Sequence, residues 1–312
     1  MSALLRGLAL AVLVSTFAGC ASGPYKALDP ATQAKVTTSQ AIVSVKQSEI
    51  YAAIQRADNG AGGLLGALTG SIVEESETKR AEQAVTPLRD ALLDYDFDGH
   101  ALAGMQAQLP KVDWLHLSTV TFTKAASSDA YDKLITDAQV PYTLIVRLDY
   151  HLSWDLKLLL VTATAQLLPK PTPGSNVHQG PNGTTFTVSA SDPSNIIYTN
   201  TVTYVASIPD GMLSEHASFK EAAPVAIPYW SKDHAAVTRA ALADAAAEVS
   251  RLVALSLQNP GKTADVKDEV AVGPEEGHIL EKQGDNRVVI QFDDGSVMST
   301  ETRLVKYLKT GK

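Results

Sequence analysis

The chain is 312 residues long, 45% hydrophobic and 19% charged, with 26 Lys and Arg against 34 Asp and Glu and a formal charge of −8. Too apolar and too weakly charged to be disordered, it also lacks the basic balance expected of a dedicated nucleic-acid binder. With 6% aromatics and one cysteine, neither a stacking platform for bases or sugars, nor an internal disulfide, nor a cysteine-ligated zinc cluster is expected.

Residues 1–19 read MSALLRGLALAVLVSTFAG: one cation at Arg6, an apolar run from Gly7 to Val14, then small residues up to Cys20. That is the layout of a secretory signal, and the run is too short for a span of about 20 residues. With the sole cysteine directly after Phe17-Ala18-Gly19, the segment resembles the lipobox of bacterial lipoproteins, although Phe17 stands where the pattern usually has an aliphatic residue. The resemblance implies cleavage before Cys20, acylation of its thiol (palmitate among the chains), and anchoring without a span. Ala21, not an aspartate, then implies the outer membrane, with the body facing the periplasm. Loss of Arg6 takes one cation from the total, leaving a mature charge of −9. Residues 20–39, rich in Ala, Ser, Thr and Pro, read as a flexible tether.

Residues 40–258 read as one α+β domain, a mainly antiparallel sheet with helices on one face. Strands are expected at 41–45 and 117–123, and helices at 74–93 and 129–138. Residues 50–54 extend the first strand or begin a helix. The clearest alternation runs from Tyr142 to Leu152, with Leu144, Val146, Leu148 and Tyr150 on one side and Ile145, Arg147, Asp149 and His151 on the other, a half-buried strand. Residues 156–168, apolar on both faces around Leu158–Val161, read as a central or doubly covered strand that pairs with 142–152 as an antiparallel hairpin. A third long strand is expected at 196–206, after a loop at 169–183. Pro224 and Pro228 mark an irregular stretch before a long helix at 232–258, N-capped by Ser231, with an apolar stripe from Val237 to Val253 and Asp244, Glu248 and Arg251 turned to solvent.

Residues 259–267 read as a linker to a compositionally different tail. Residues 268–312 alternate strongly and carry turn chemistry at Gly284-Asp285 and Asp294-Gly295. This run resembles the small SH3-like barrels appended to many bacterial proteins.

Gly62, Gly66 and Gly70 within GAGGLLGALTGSIV fall on one helical face, and the stretch resembles the glycine zippers of outer-membrane lipoproteins. Residues 60–73 as a helix would be about 21 Å long, short of a bilayer core. The segment therefore reads as a shallow lipid-inserted or self-associating helix, or else as a glycine-rich loop or a helix packed on its own domain. Asp94, Asp96 and Asp98 before Gly99 open like a calcium loop, but Met105 stands where the bidentate glutamate belongs, so they read as solvated aspartates of a helix C-terminal turn and only a weak calcium candidate. The seven histidines show no metal-ligand spacing, and no catalytic or cofactor motif occurs. Trp114, Trp154 and Trp230 read as half-buried packing residues or a shared partner surface. The sequence thus points to a non-catalytic, lipid-anchored envelope protein without cofactor or metal. Its partners are membrane lipid through Cys20 and an unidentified envelope protein or cell-wall component. An auxiliary subunit of an envelope transport or secretion machine is the alternative, and an envelope hydrolase the third reading.

Overall fold

A computed structural model describes residues 25–53, 75–124, 127–172, 177–179, 185–187, 189–214, 217–258 and 268–308. The signal segment, Cys20, the glycines at 62, 66 and 70, and the 259–267 linker lie outside these residues.

The fold is α+β, built on one sheet of eleven strands. After a single helical turn α1 (Pro30–Gln33) come β1 (Ser39–Val45), β2 (Tyr51–Ala52), helices α2 (Glu75–Ala91) and α3 (Phe97–Gln108), β3 (Leu117–Thr123) and helix α4 (Ser128–Thr136). Then follow β4 (Tyr142–Leu152), β5 (Leu158–Pro169), the small separate hairpin β6 (Val177–Gln179) and β7 (Thr185–Thr187), β8 (Tyr198–Ser207) and helix α5 (Phe219–Gln258). The last strands are β9 (Glu269–Val272), β10 (Glu275–Gln283), β11 (Arg287–Phe292), β12 (Val297–Glu301) and β13 (Lys306–Tyr307). Their order is β13-β9-β10-β11-β12-β8-β5-β4-β1-β3, with β2 beside the end of β4.

The sheet is mixed rather than mainly antiparallel. The β4–β5 hairpin is antiparallel as its short turn requires, and β8 joins β5 in the same sense. Yet β1 runs parallel to both β3 and β4, because helices carry the chain from one end of the sheet back to the other between them. β12 also runs parallel to β8.

Helices lie on both faces, not one. α2, α3 and α5 cover the side that carries Leu144, Val146 and Leu148, where Val85, Leu88, Met105, Leu242, Ala245 and Val249 complete the main core. α4 packs on the other side, Tyr131 and Ile135 against Ile145 and Leu168. The C-terminal strands cover that second face too, burying Leu160 and Val205 against Val270, Ile290 and Met298. They continue the same sheet and contribute Val289 and Val297 to its main core.

The expected tether is already fixed at its sixth residue. Lys26 pairs with Thr199 beside β8, where β12 has not yet begun, and its ammonium donates to the Ile196 carbonyl at 2.5 Å. Tyr25 lies over Gly295, which has φ +84° and has no room for a Cβ, since one would sit 2.5 Å from the tyrosine ring. Leu28 and Val36, two apolar residues diluted in a polar stretch, join the main core.

α5 begins earlier than its prolines suggested. Ser218 donates through its backbone N–H to Glu221 at 2.8 Å, half of a capping box, and starts a helix that runs through Pro224 and Pro228. Helical geometry breaks at Lys232–Ala235, where Asp233, His234 and Ala235 all take left-handed backbone with φ between 52° and 57°. Each such non-glycine residue costs about 1–2 kcal/mol. Across the break the Thr238 hydroxyl donates to the Trp230 carbonyl at 2.7 Å and Arg239 Nε to the His234 carbonyl at 2.8 Å. The apolar stripe is consequently phased from Thr238 and Leu242; Val237 is exposed.

Candidate functional site

A largely buried polar cluster forms at the C-terminal end of β4, where β2 pairs with His151 and Leu152. Alternation places Asp149 and His151 on the same face of β4, and the pairing brings Tyr51 beside them. The Tyr51 hydroxyl donates to both oxygens of Asp149, at 2.8 and 3.0 Å, and its ring stacks on His151 with centroids 5.1 Å apart. His151 Nδ1 lies 2.8 Å from Asp149 Oδ1. An ionised carboxylate only accepts, so Nδ1 carries a proton. His151 is 2% exposed, and Nε2 is enclosed without a hydrogen-bond partner.

Burial alone would raise the Asp149 carboxyl. Hydrogen bonds and charge from His151, the Tyr51 hydroxyl and the Lys46 ammonium overcome it and hold the group below the usual carboxylate range. Burial and the Asp149 charge push the Tyr51 hydroxyl well up, so it stays a neutral donor. An Asp–His pair of this kind could orient a general base, but here Nε2 is sealed from solvent. What the cluster does is fasten β2.

A second set of contacts fixes the same region from the helical side. Arg89 on α2 donates to the Ile50 carbonyl at 2.7 Å and pairs with Glu49 at 3.6 Å and with Glu82. Ala53 and Glu75, the described residues bounding the glycine-rich segment, are therefore rooted in mutually braced elements, β2 and α2. Nearby, Gln47 donates to the Tyr150 carbonyl at 2.6 Å.

The three aspartates of the D-x-D-x-D-G run go to three different partners. Asp94 pairs with Arg239 across the break in α5, and that guanidinium depresses its carboxyl. Asp96 accepts from Gly99 N at 2.8 Å as the N-cap of α3, and Asp98 pairs with Lys124 at 2.6 Å. The run leads from the turn that ends α2, where Asp94 is exposed, into the start of α3, and Met105 is a wholly buried core residue. Among the described residues no three His, Cys, Asp or Glu side chains are grouped to hold a metal ion.

The tryptophans are scattered. Trp114 donates to the Leu257 carbonyl at 2.8 Å, satisfying an open carbonyl in the last turn of α5, and Trp154 is half-buried near the β4–β5 turn. Trp230, 1% exposed, is deeper than expected and donates to the Leu156 carbonyl at 2.8 Å. Glu248 and Arg251, expected in solvent, instead bridge α5 to β10 through Glu281 and Gln283.

No family model and no curated protein matches the chain. Solved structures that are similar in part include two of PelC from Paraburkholderia phytofirmans. The PelC dodecamer is 8% identical with a TM-score of 0.21, covering 72% of this chain and 90% of that one. A single-substitution variant of that dodecamer is 11% identical with a TM-score of 0.18, covering 63% and 89%.

Proposed function

We propose that the chain is a non-catalytic lipoprotein of the outer membrane, anchored through acylated Cys20, facing the periplasm and working by binding other envelope components. The observation that carries this reading is the position of the sole cysteine, directly after Phe17-Ala18-Gly19 and a short apolar run. Its support from the fold is the short path from Cys20 to the body. Five chain steps of about 3.5 Å each lead from Cys20 to Tyr25, so the body sits within about 20 Å of the acyl chains. Attachment by lipid suits a surface of net negative charge, which gains nothing from an anionic bilayer.

The glycine-rich segment, with Gly62, Gly66 and Gly70, is the proposed contact element. The row joining Tyr51 to His151 lies six residues along β4 from the row joining Lys26, Thr199, Gln166 and Ile145, about 20 Å away. The buried Tyr51–Asp149–His151 cluster serves this reading as a fixed root for that segment. For the last five strands we retain the SH3-like reading. Their order β13-β9-β10-β11-β12 and the 3₁₀ turn Thr302–Leu304 before the final strand suit a small five-stranded barrel opened onto β8.

The test is fractionation with mass spectrometry of the N-terminus. Wild type should sediment with membranes and carry acyl chains at Cys20, and Cys20→Ser should be released to the soluble periplasm. Membrane association of the Cys20→Ser chain without acylation would refute the anchor.

A further inference from the structure

β3 closes one end of the eleven-stranded sheet: it pairs with β1 and with no other strand among the described residues. Natural sheets blunt such edges with lysine, proline, bulges or very short strands. The opposite edge obeys that rule, since β13 is two residues long and begins at Lys306. β3 does not. Its seven residues, Leu-Ser-Thr-Val-Thr-Phe-Thr, contain no charge, proline or glycine, and Ser118, Thr119 and Thr121 are exposed. From Thr119 to Thr123 its register with β1 is regular.

We propose that β3 is a self-association edge, pairing antiparallel with β3 of a second copy about a two-fold axis through Val120. The strand's own sequence selects a copy of itself as the partner. Within the regular stretch, an antiparallel pair centred on Val120 sets Val120 against Val120 and Thr119 against Thr121. Cross-strand pairs of β-branched residues are favourable, and no like charges face each other. The contact is isologous and closes after two chains, so it yields a dimer and not a fibre. Gln106 Nε2, exposed on α3, donates to the Val120 carbonyl at 3.3 Å, a long bond that a partner strand's N–H replaces. The axis also keeps the two N-terminal straps level: Lys26 joins Thr199 in the row running through Gln166, Ile145 and Ile42 to Thr121, one residue from the axis.

Cysteine crosslinking of the full chain tests both the contact and its register. In a Cys20→Ser background no other thiol remains. Val120→Cys there should give a covalent dimer under mild oxidation, because directly opposed residues lie about 4.5–5.5 Å apart at Cα, within disulfide reach. Thr123→Cys should not, its mate being six residues away, about 20 Å. Charge exchange read by light scattering is the second arm. Thr119→Lys with Thr121→Lys sets lysine against lysine and should halve the mass to one chain; Thr119→Lys with Thr121→Glu sets each lysine against a glutamate and should keep two. A monomeric wild type, as when residues 54–74 of the same chain cover the edge, overturns the proposal. So do equal crosslinking at 120 and 123, or equal masses for the two charge variants.

Discussion

Asp149 shows how one side chain's protonation is tied to the fold. Its carboxylate receives the Tyr51 hydroxyl and the His151 ring, and its acidity is raised against the pull of burial. A carboxyl held below its unfolded value contributes stability that is complete above the ordinary carboxylate range and is lost as pH falls through the folded value. Wild type should therefore lose urea resistance as pH falls below about 4. Asp149→Asn should start about 2 kcal/mol less stable at neutral pH, losing hydrogen bonds to a charged group, and should lose less on acidification. Equal acid slopes in the two proteins would contradict this account. Elsewhere strain is held by packing: Leu156 is buried with φ +60°, and its carbonyl is held by the Trp230 indole. Of the cluster at β4, the alternation of Tyr142–Leu152 already put Asp149 and His151 on one face. Their partner Tyr51 lies 98 residues away from Asp149, and no local pattern announces a contact of that range.

At the level of elements, α3 and α5 cross closely because small residues meet. A Cβ on Gly104 would lie 2.5 Å from Ser250 Oγ and 3.0 Å from the Ala246 carbonyl oxygen, and the Ser250 hydroxyl already donates to that carbonyl at 2.7 Å. Gly104→Val should destabilise by about 1–3 kcal/mol through overpacking, although valine does not break helices. A thermal midpoint no lower than wild type would mean the helices can part freely. The same glycines explain why α3 was illegible: Gly99 and Gly104 lower helix propensity, and aspartates that read as a turn contain its N-cap. The first part of α5 was hidden similarly by Pro224 and Pro228. β4 and β5, by contrast, were legible almost to the residue, because their burial patterns follow from one covered and one half-covered face for β4 and two covered stretches for β5.

For the molecule as a whole, the C-terminal strands are structural members of the sheet. A chain ending at Gln258 would leave Leu160 and Val205 uncovered and the β8 edge at Val202–Tyr204 unpaired. It should bind a hydrophobic dye and aggregate on purification. A monomeric fragment with the full chain's melting point would show instead that residues 40–258 stand alone, as composition suggested. Composition separated the tail because it measures local character, whereas the β12–β8 pairing joins residues roughly a hundred positions apart, for which a single sequence carries no signal. The N-terminal strap extends this argument to time. Lys26 donates to a carbonyl 170 residues further on, so its site does not exist until the third long strand has been made and joined to the hairpin. Closing so large a loop is slow as well as late. The part of the body first to leave the ribosome is thus among the last to find its place.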